Sequence, residues 1–186
     1  MGNTQEDAIF QVCFVCTGNI CRSPMAEAIS RTLAERDGLN QLISFTSAGT
    51  GEWHVGERAD PRTLSALERA GYNADTHRAK QFDPEWFNRF DLICTFDRGQ
   101  LRILRSWAET NEQRNLLRPL LSFDPNCDDD QDVTDPYYGD DDLFDTVRDQ
   151  IEAACIQLLQ QVGPALRAAK EIHPDNPTDR IRTETL

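Results

Sequence analysis

Cys16 and Arg22 stand five residues apart in the stretch Cys16-Thr17-Gly18-Asn19-Ile20-Cys21-Arg22-Ser23. That spacing suits one turn of loop wrapped around a tetrahedral anion. Backbone N–H groups of such a loop point inward, and a helix starting at its end adds unsatisfied N–H groups and a positive dipole end. Gly18 and Asn19 are the residue types that tolerate the positive φ of a tight wrap. Arg22 can grip two oxygens bidentately with a charge that never leaves. A thiol at the base of this nest, Cys16, is expected as thiolate, the form that attacks. Ser23 can donate a hydrogen bond to that sulfur and help it leave. The chemistry also asks for a general acid, because an aryl ester departs as a phenolate-like oxygen. Asp135 is the candidate. It precedes Pro136, which biases it to an extended backbone. The neighbouring acids, at 128, 129, 130, 132, 140, 141 and 142, and a dianionic ligand favour its protonated form. Those seven other aspartates read as a solvated acidic loop; the D-x-[DN]-x-[DN]-G pattern of a calcium loop is not met. Tyr137, Tyr138 and Trp53 are placed to wall a cleft around an aromatic ring, and His54 reads as surface or packing.

The composition narrows the alternatives. The chain has 186 residues with 32 Asp and Glu against 19 Lys and Arg, a net charge of −13. Such a surface repels nucleic-acid backbones and anionic membranes, so an anion site must be a local exception to the global field. No run approaches the roughly 18 apolar residues of a membrane span. Residues 1–8 lack a signal-peptide pattern, which gives the expectation of a cytoplasmic protein. The six cysteines, at 13, 16, 21, 94, 127 and 155, do not make a disulfide scaffold in a chain of this length. Cys13 and Cys16 form a C-x-x-C, but no second pair follows, and His54, His77 and His173 are scattered. Neither a metal site nor a cofactor is expected. Cys13 reads as a buried strand residue. A Walker A loop is excluded because no G-x-x-x-x-G-K-[ST] occurs.

The elements that must position these groups follow from periodicity. Residues 9–15 form a buried strand, and Met25, Ile29 and Leu33 mark a helix over 22–36. A second strand covers 42–47. Pro61 opens a helix with Leu64, Leu67 and Ala70 on its apolar face. A short helix over 83–89, a strand over 91–96 and a helix over 98–108 come next. A fourth short strand lies within 116–123, and an acidic loop runs from 124 to 142. The longest helix, 143–170, turns Leu143, Val147, Ile151, Ala154 and Leu158 inward, with Pro164 a potential kink. Alternating strands and helices predict one α/β domain with a parallel sheet and right-handed crossovers. Ligands of such sheets bind outside the carboxyl ends of strands, which points to the first strand–turn–helix.

At this point the residues resemble a family. Val15 to Glu27, VCTGNICRSPMAE, looks like the signature loop of the low-molecular-weight protein tyrosine phosphatases. Thr46-Ser47-Ala48-Gly49-Thr50, Thr76-His77-Arg78-Ala79, Asp97 and Asp135-Pro136-Tyr137-Tyr138 are similar to further family segments in the same order, over about residues 9–165. Trp53-His54-Val55-Gly56 resembles the actinobacterial branch. The resemblance implies a three-layer α-β-α fold with a four-stranded parallel sheet, flavodoxin-like or phosphatase-I-like, and a phosphotyrosine protein as substrate. It implies that Thr17 to Cys21 and Ser23 bind the phosphate, that Tyr137 and Tyr138 sit at the mouth, and that Ser47, Ser23, His77 and Asp97 hold the loop. Isoleucine at position 20 resembles the tyrosine-specific branch, whereas threonine there resembles the phosphoarginine branch. Cys21, in the same loop as Cys16, is expected to bridge it reversibly under peroxide. Inorganic phosphate or other oxyanions are expected as inhibitors and a monomer as the oligomeric state. The catalytic domain is expected over 9–170, with an N-terminal extension, 1–8, and a mobile tail, 171–186. Two rivals remain open: an arsenate reductase of the same fold, and a non-catalytic phosphate-binding or redox-sensing module.

Overall fold

The computed structural model describes residues 8–128 and 131–172; the expected tail from His173 and most of the N-terminal extension lie outside them. Four strands, β1 (Phe10–Cys16), β2 (Ile43–Gly49), β3 (Leu92–Thr95) and β4 (Leu117–Pro119), form one parallel sheet in the order β2-β1-β3-β4. The helices are α1 (Arg22–Arg36), α2 (Pro61–Arg69), α3 (Arg98–Trp107), α4 (Asn111–Asn115) and α5 (Asp141–Ile172), with short 3₁₀ turns at Pro84–Asn88 and Leu120–Phe123. No helix among the described residues is long and apolar enough to cross a membrane.

β1 shows why both faces of the sheet need cover. Phe10, Val12, Phe14 and Cys16 join the core beneath α1, α2 and α5, while Cys13 and Val15 join the core beneath α3. Successive side chains of a strand point to opposite faces, so a strand apolar at all but one position, Gln11, is buried on both. The result is the three-layer α-β-α sandwich. It aims the carboxyl end of β1 at the start of α1, and Cys16 is the last residue of that strand.

Several boundaries differ from the sequence expectation. β1 continues to Cys16 and β2 to Gly49, because the two strands stay in register to the pair Cys16 and Gly49. α2 buries Thr63, Ala66 and Leu67 instead of a Leu64–Leu67–Ala70 stripe; Leu64 and Ala70 are half-buried. Within 116–123 only Leu117–Pro119 is strand, and Leu120–Phe123 turns into a 3₁₀ helix. α4 was not anticipated. Its signal is a capping box, in which Thr110 accepts from the Gln113 N–H and the Gln113 side chain returns to the Thr110 N–H. α5 starts two residues early, at Asp141 and Asp142, acids that suit a helix N-terminus. It also continues through Pro164 to Ile172, whose side chain is exposed, and at the other end Ala8 is already buried.

Gly49 shows how closely the sheet presses on the loop. A Cβ built there would lie 2.7 Å from the Thr17 carbonyl oxygen, a backbone atom that cannot swing aside. Two bonds staple the segments together beyond that point: Thr50 N–H to the Cys16 carbonyl at 2.8 Å and Gly51 N–H to the Thr17 carbonyl at 2.9 Å.

Candidate active site

The loop between β1 and α1 closes around the Cys16 sulfur. Sγ lies 2.9 Å from Ser23 Oγ and receives the Asn19 N–H at 3.3 Å. α1 begins at Arg22 with no side-chain cap and no acidic residue in its first turn. By contrast α2, α3 and α4 are capped by Asp60, Asp97 and Thr110. With Pro24 lacking an N–H and the Met25 N–H bonded to the Cys21 carbonyl, the N–H groups of Arg22 and Ser23 are the ones left for a ligand.

Asn19 shapes the loop from beneath. Its φ of 56° is the left-handed value anticipated for the wrap, and among the described residues no other non-glycine has a positive φ. The side chain is fully buried. Nδ2 donates to Ser23 Oγ at 2.8 Å and Ser47 Oγ at 2.9 Å, and Oδ1 accepts the Lys80 N–H at 2.9 Å. Ser47 Oγ in turn donates to Glu27 at 2.6 Å. The Asn19 carbonyl accepts from His77 Nε2 at 2.7 Å, which fixes the tautomer, since a carbonyl cannot donate. Burial holds the His77 imidazole below its usual pKa, against the pull of that hydrogen bond. The Asn19 side chain thus faces away from the substrate side, and the completely buried Ser23 likewise supports the loop instead of lining the cleft.

Arg22 is 2% exposed, and its charge is met from three directions. Nη1 donates to Asp97 at 2.9 Å and to the Val133 carbonyl at 3.1 Å, while Nη2 donates to Asp135 at 2.6 Å. Nε is buried and has no partner among the described residues. Asp97 is itself fixed as the N-cap of α3, and Gln100 Nε2 donates to both Asp97 at 2.7 Å and Thr17 Oγ1 at 3.1 Å.

These groups surround a cleft of about 330 Å³. Cys16, Thr17, Gly18, Ile20, Cys21 and Arg22 line one side, and Trp53, Asp135, Tyr137 and Tyr138 face them. Trp53 and Tyr138 are widely exposed at 71% and 95%, as befits side chains awaiting a ring to cover. Cys21 is different in character from a nucleophile. Burial, with Asp60 and the neighbouring Cys16 adding to it, pushes its pKa up to about 12, so it stays a thiol. All six cysteines are free. Among the described residues no group of three or more His, Cys, Asp or Glu side chains could hold a metal.

The sequence reading missed several contributors. His54 is not plain surface: it lines the cleft, with Nδ1 2.8 Å from Glu57 and its ring 6.2 Å from that of Tyr137. Glu27 closes the signature segment and Gln100 completes the α3 capping box with Asp97, but their contacts to Ser47 and Thr17, like that of Lys80 to Asn19, join residues distant in sequence. Arg62 is the largest omission. It clamps Asp60 and also donates to the carbonyls of Gly139 at 2.8 Å and Tyr137 at 3.0 Å, with its guanidinium 4.5 Å from the Phe144 ring centre. Although burial opposes it, the Arg62 side-chain and backbone bonds hold the Asp60 carboxyl below its usual range. The Asp60 N–H reaches the Ile20 carbonyl at 2.9 Å. Asp60 and Arg62 therefore tie the Asp135 loop to the anion loop. The visible signal, Asp60-Pro61, announced only a helix start.

A sequence profile of the family described as low molecular weight phosphotyrosine protein phosphatase matches residues 11–168. The chain belongs to this family. It is 51% identical over 154 residues to the low molecular weight protein-tyrosine-phosphatase of Streptomyces coelicolor, covering 82% of this chain and 93% of that protein. The solved structure of YfkJ from Bacillus subtilis superposes with a TM-score of 0.75 at 38% identity, covering 84% of this chain and 96% of that one. YwlE from the same organism, described as an arginine phosphatase, superposes with a TM-score of 0.75 at 30% identity, covering 85% and 99%. The fold and family implied by the loop are thus those found.

The Arg62 clamp makes a testable demand on this phosphatase. Arg62→Ala should lower kcat about tenfold for aryl phosphates with poor leaving groups and far less for nitrophenyl phosphate, as expected when a proton donor loses its position. Steady-state kinetics across a leaving-group series, on protein shown folded by its Tm, checks this. A uniform loss would reduce Arg62 to a stability role.

Proposed function

We propose that this phosphatase hydrolyses phosphotyrosine in proteins through a cysteinyl-phosphate intermediate. One observation supports this above the rest: the Cys16 sulfur, the Arg22 guanidinium and the Asp135 carboxyl line a single cleft floored by the start of α1. An incoming phosphate dianion competes with Asp135 for Arg22. Arg22 then turns Nη2 and its free Nε to the phosphate oxygens, and Asp135 is released to carry a proton. Cys16 Sγ attacks phosphorus in line, the bond to the tyrosyl oxygen breaks, and Asp135 protonates that oxygen. Arg22 and the loop amides stabilise the charge spread over the equatorial oxygens. Water, giving its proton to Asp135, then attacks the phosphorus. The S–P bond breaks, inorganic phosphate leaves, and the sulfur returns as thiolate beside Ser23 Oγ.

A phosphoarginine substrate is the specific competitor, given the likeness to YwlE. Ile20, at 7% exposure on the cleft wall, argues for tyrosine. A branched apolar side chain offers a dry surface to a ring and no hydrogen bond to a guanidinium. An arsenate-reductase relay needs two further accessible thiols; Cys13, Cys94 and Cys155 are completely buried, and besides Cys21 at the cleft only the half-buried Cys127 remains, its pKa raised by burial and by Asp124. A setting as a cytoplasmic monomer with no nucleic-acid or membrane partner belongs to this same proposal. So does inhibition by phosphate and other oxyanions that fill the loop.

Cys16→Ser should abolish turnover while keeping phosphate affinity, since a hydroxyl is a far weaker nucleophile. Asp135→Ala should slow poor leaving groups strongly and nitrophenyl phosphate little. Retained turnover in the first variant, or equal losses across the series in the second, overturns the mechanism. For substrate choice, kcat/KM should clearly favour phosphotyrosine over phosphoserine and phosphoarginine peptides, and Ile20→Thr should narrow the gap to phosphoarginine; parity in the unmodified protein refutes the assignment. For redox control, peroxide should oxidise the Cys16 thiolate to a sulfenic acid that condenses with the Cys21 thiol, giving a disulfide and water. Mass spectrometry finding sulfinic acid at Cys16 with Cys21 still free would refute that step.

A further inference from the structure

A second cavity, about 500 Å³, lies behind the phosphate loop. The 52–57 loop divides it from the catalytic cleft: Trp53 and His54 line the cleft, Val55 and Gly56 the second cavity. Three cationic side chains line it, Arg31, Arg78 and Lys80, with the single carboxylate of Glu27. Arg31 pairs with Glu27. Arg78 and Lys80 have no carboxylate partner among the described residues. Arg78 donates to the adjacent His77 carbonyl at 2.6 Å and Lys80 Nζ to Thr46 Oγ1 at 2.7 Å. Lys80 Nζ also lies 6.0 Å from the centre of the Trp86 ring, which leaves Arg78 the more available of the two. In a chain of net charge −13, two cations without a carboxylate partner on one cavity lining are a local reversal of the field, which concentrates anions.

The walls of this cavity also reach the catalytic loop. His77 donates to the Asn19 carbonyl, the Lys80 N–H holds Asn19 Oδ1, and Glu27 accepts from Ser47, which itself accepts from Asn19. Asn19 is the left-handed residue that shapes the phosphate loop. His77 Nδ1 has no partner among the described residues. An anion in the cavity would favour a proton there, and a charged imidazolium makes a stronger hydrogen bond to the Asn19 carbonyl.

We propose that this cavity is a second anion site, taking a small polyanion whose carboxylate or phosphate groups engage Arg78 and Lys80, and that its occupancy tightens the phosphate loop through Asn19. The coupling is reciprocal, as linkage requires: a filled phosphate loop raises affinity at the second site by the same factor. The proposal does not depend on which phosphorylated side chain the enzyme prefers, so its test is separate from that of the substrate.

Citrate is a suitable probe, being multivalent and carrying no phosphoryl group to be hydrolysed. With the catalytic loop saturated by inorganic phosphate, citrate titrated into the ¹⁵N-labelled protein should give saturable NMR shifts at Arg31 and at Thr76 to Lys80. Calorimetry should show phosphate binding about fivefold tighter at saturating citrate. Arg78→Glu should weaken citrate about tenfold or more and leave aryl-phosphate turnover without citrate unchanged. Shifts confined to Cys16–Arg22 and reversed by phosphate would make citrate a competitor in the catalytic loop, and the second site would fall. Saturable binding with phosphate affinity unmoved would overturn the coupling. A phosphorylated probe, glycerol 2-phosphate on the Cys16→Ser variant, distinguishes a site for phosphate esters from one for carboxylates by which of the two probes binds more tightly.

Discussion

A buried guanidinium sets the terms for the rest of this molecule. Arg22 is almost wholly removed from water, and an uncompensated charge in such a place costs about 3–5 kcal/mol. The chain meets that demand with groups far away in sequence: Asp97, 75 residues on, and Asp135, 113 residues on. The end of β3 must therefore reach the start of α1, and the acidic loop must fold back across it. Asp97 is fixed as a helix cap so that it cannot wander from its partner. Asp135, with a side chain 46% exposed, is the partner that can be exchanged. On the proposed mechanism, this division between a fixed and an exchangeable carboxylate would let one arginine serve folding and substrate binding in turn.

The thiols are sorted by the same logic of burial. Cys13 and Cys94 lie inside strands, where desolvation raises their pKa far out of the reactive range, and Cys155 is pushed up to about 12. Cys16 differs through its surroundings: a backbone N–H and a hydroxyl aimed at its sulfur, at the one α-helix start among the first four that lacks a side-chain cap. Cys21 and the half-buried Cys127 are raised too, each by burial and a nearby aspartate, so the other five cysteines of this small domain do not compete for the chemistry at Cys16.

Much of this was legible in the sequence because the determinants are local. Strand, wrap and helix are contiguous from Phe10 to Arg36, so Cys16, Arg22 and the left-handed Asn19 could be read together. The Asp135-Pro136 pair announces itself through composition. What stayed hidden was non-local. Nothing near Arg62 signals that its guanidinium spans to carbonyls at 137 and 139, and nothing near Gln100 points to Thr17. Asn19 was legible as a residue for a tight turn, but its service as a hub depends on Ser47, brought in by the parallel register of β1 and β2, and on His77 and Lys80, whose segment is held to the end of β2 by the Gly49 N–H bond to the Lys80 carbonyl. Periodicity also misjudged α2, because Thr63 and Ala66 are small enough to pack where larger side chains do not fit.

The bare start of α1 has a consequence for the enzyme between turnovers. A helix whose missing cap is its own substrate is not at its most stable when the loop is empty. On the proposed mechanism inorganic phosphate, the product, would satisfy the same donors and stabilise the folded state as its concentration rises. Bound there it would also cover the Cys16 sulfur. The idle enzyme would then be a product complex as much as a free one, with ambient phosphate governing how often the sulfur is bare to a new ester or to an oxidant.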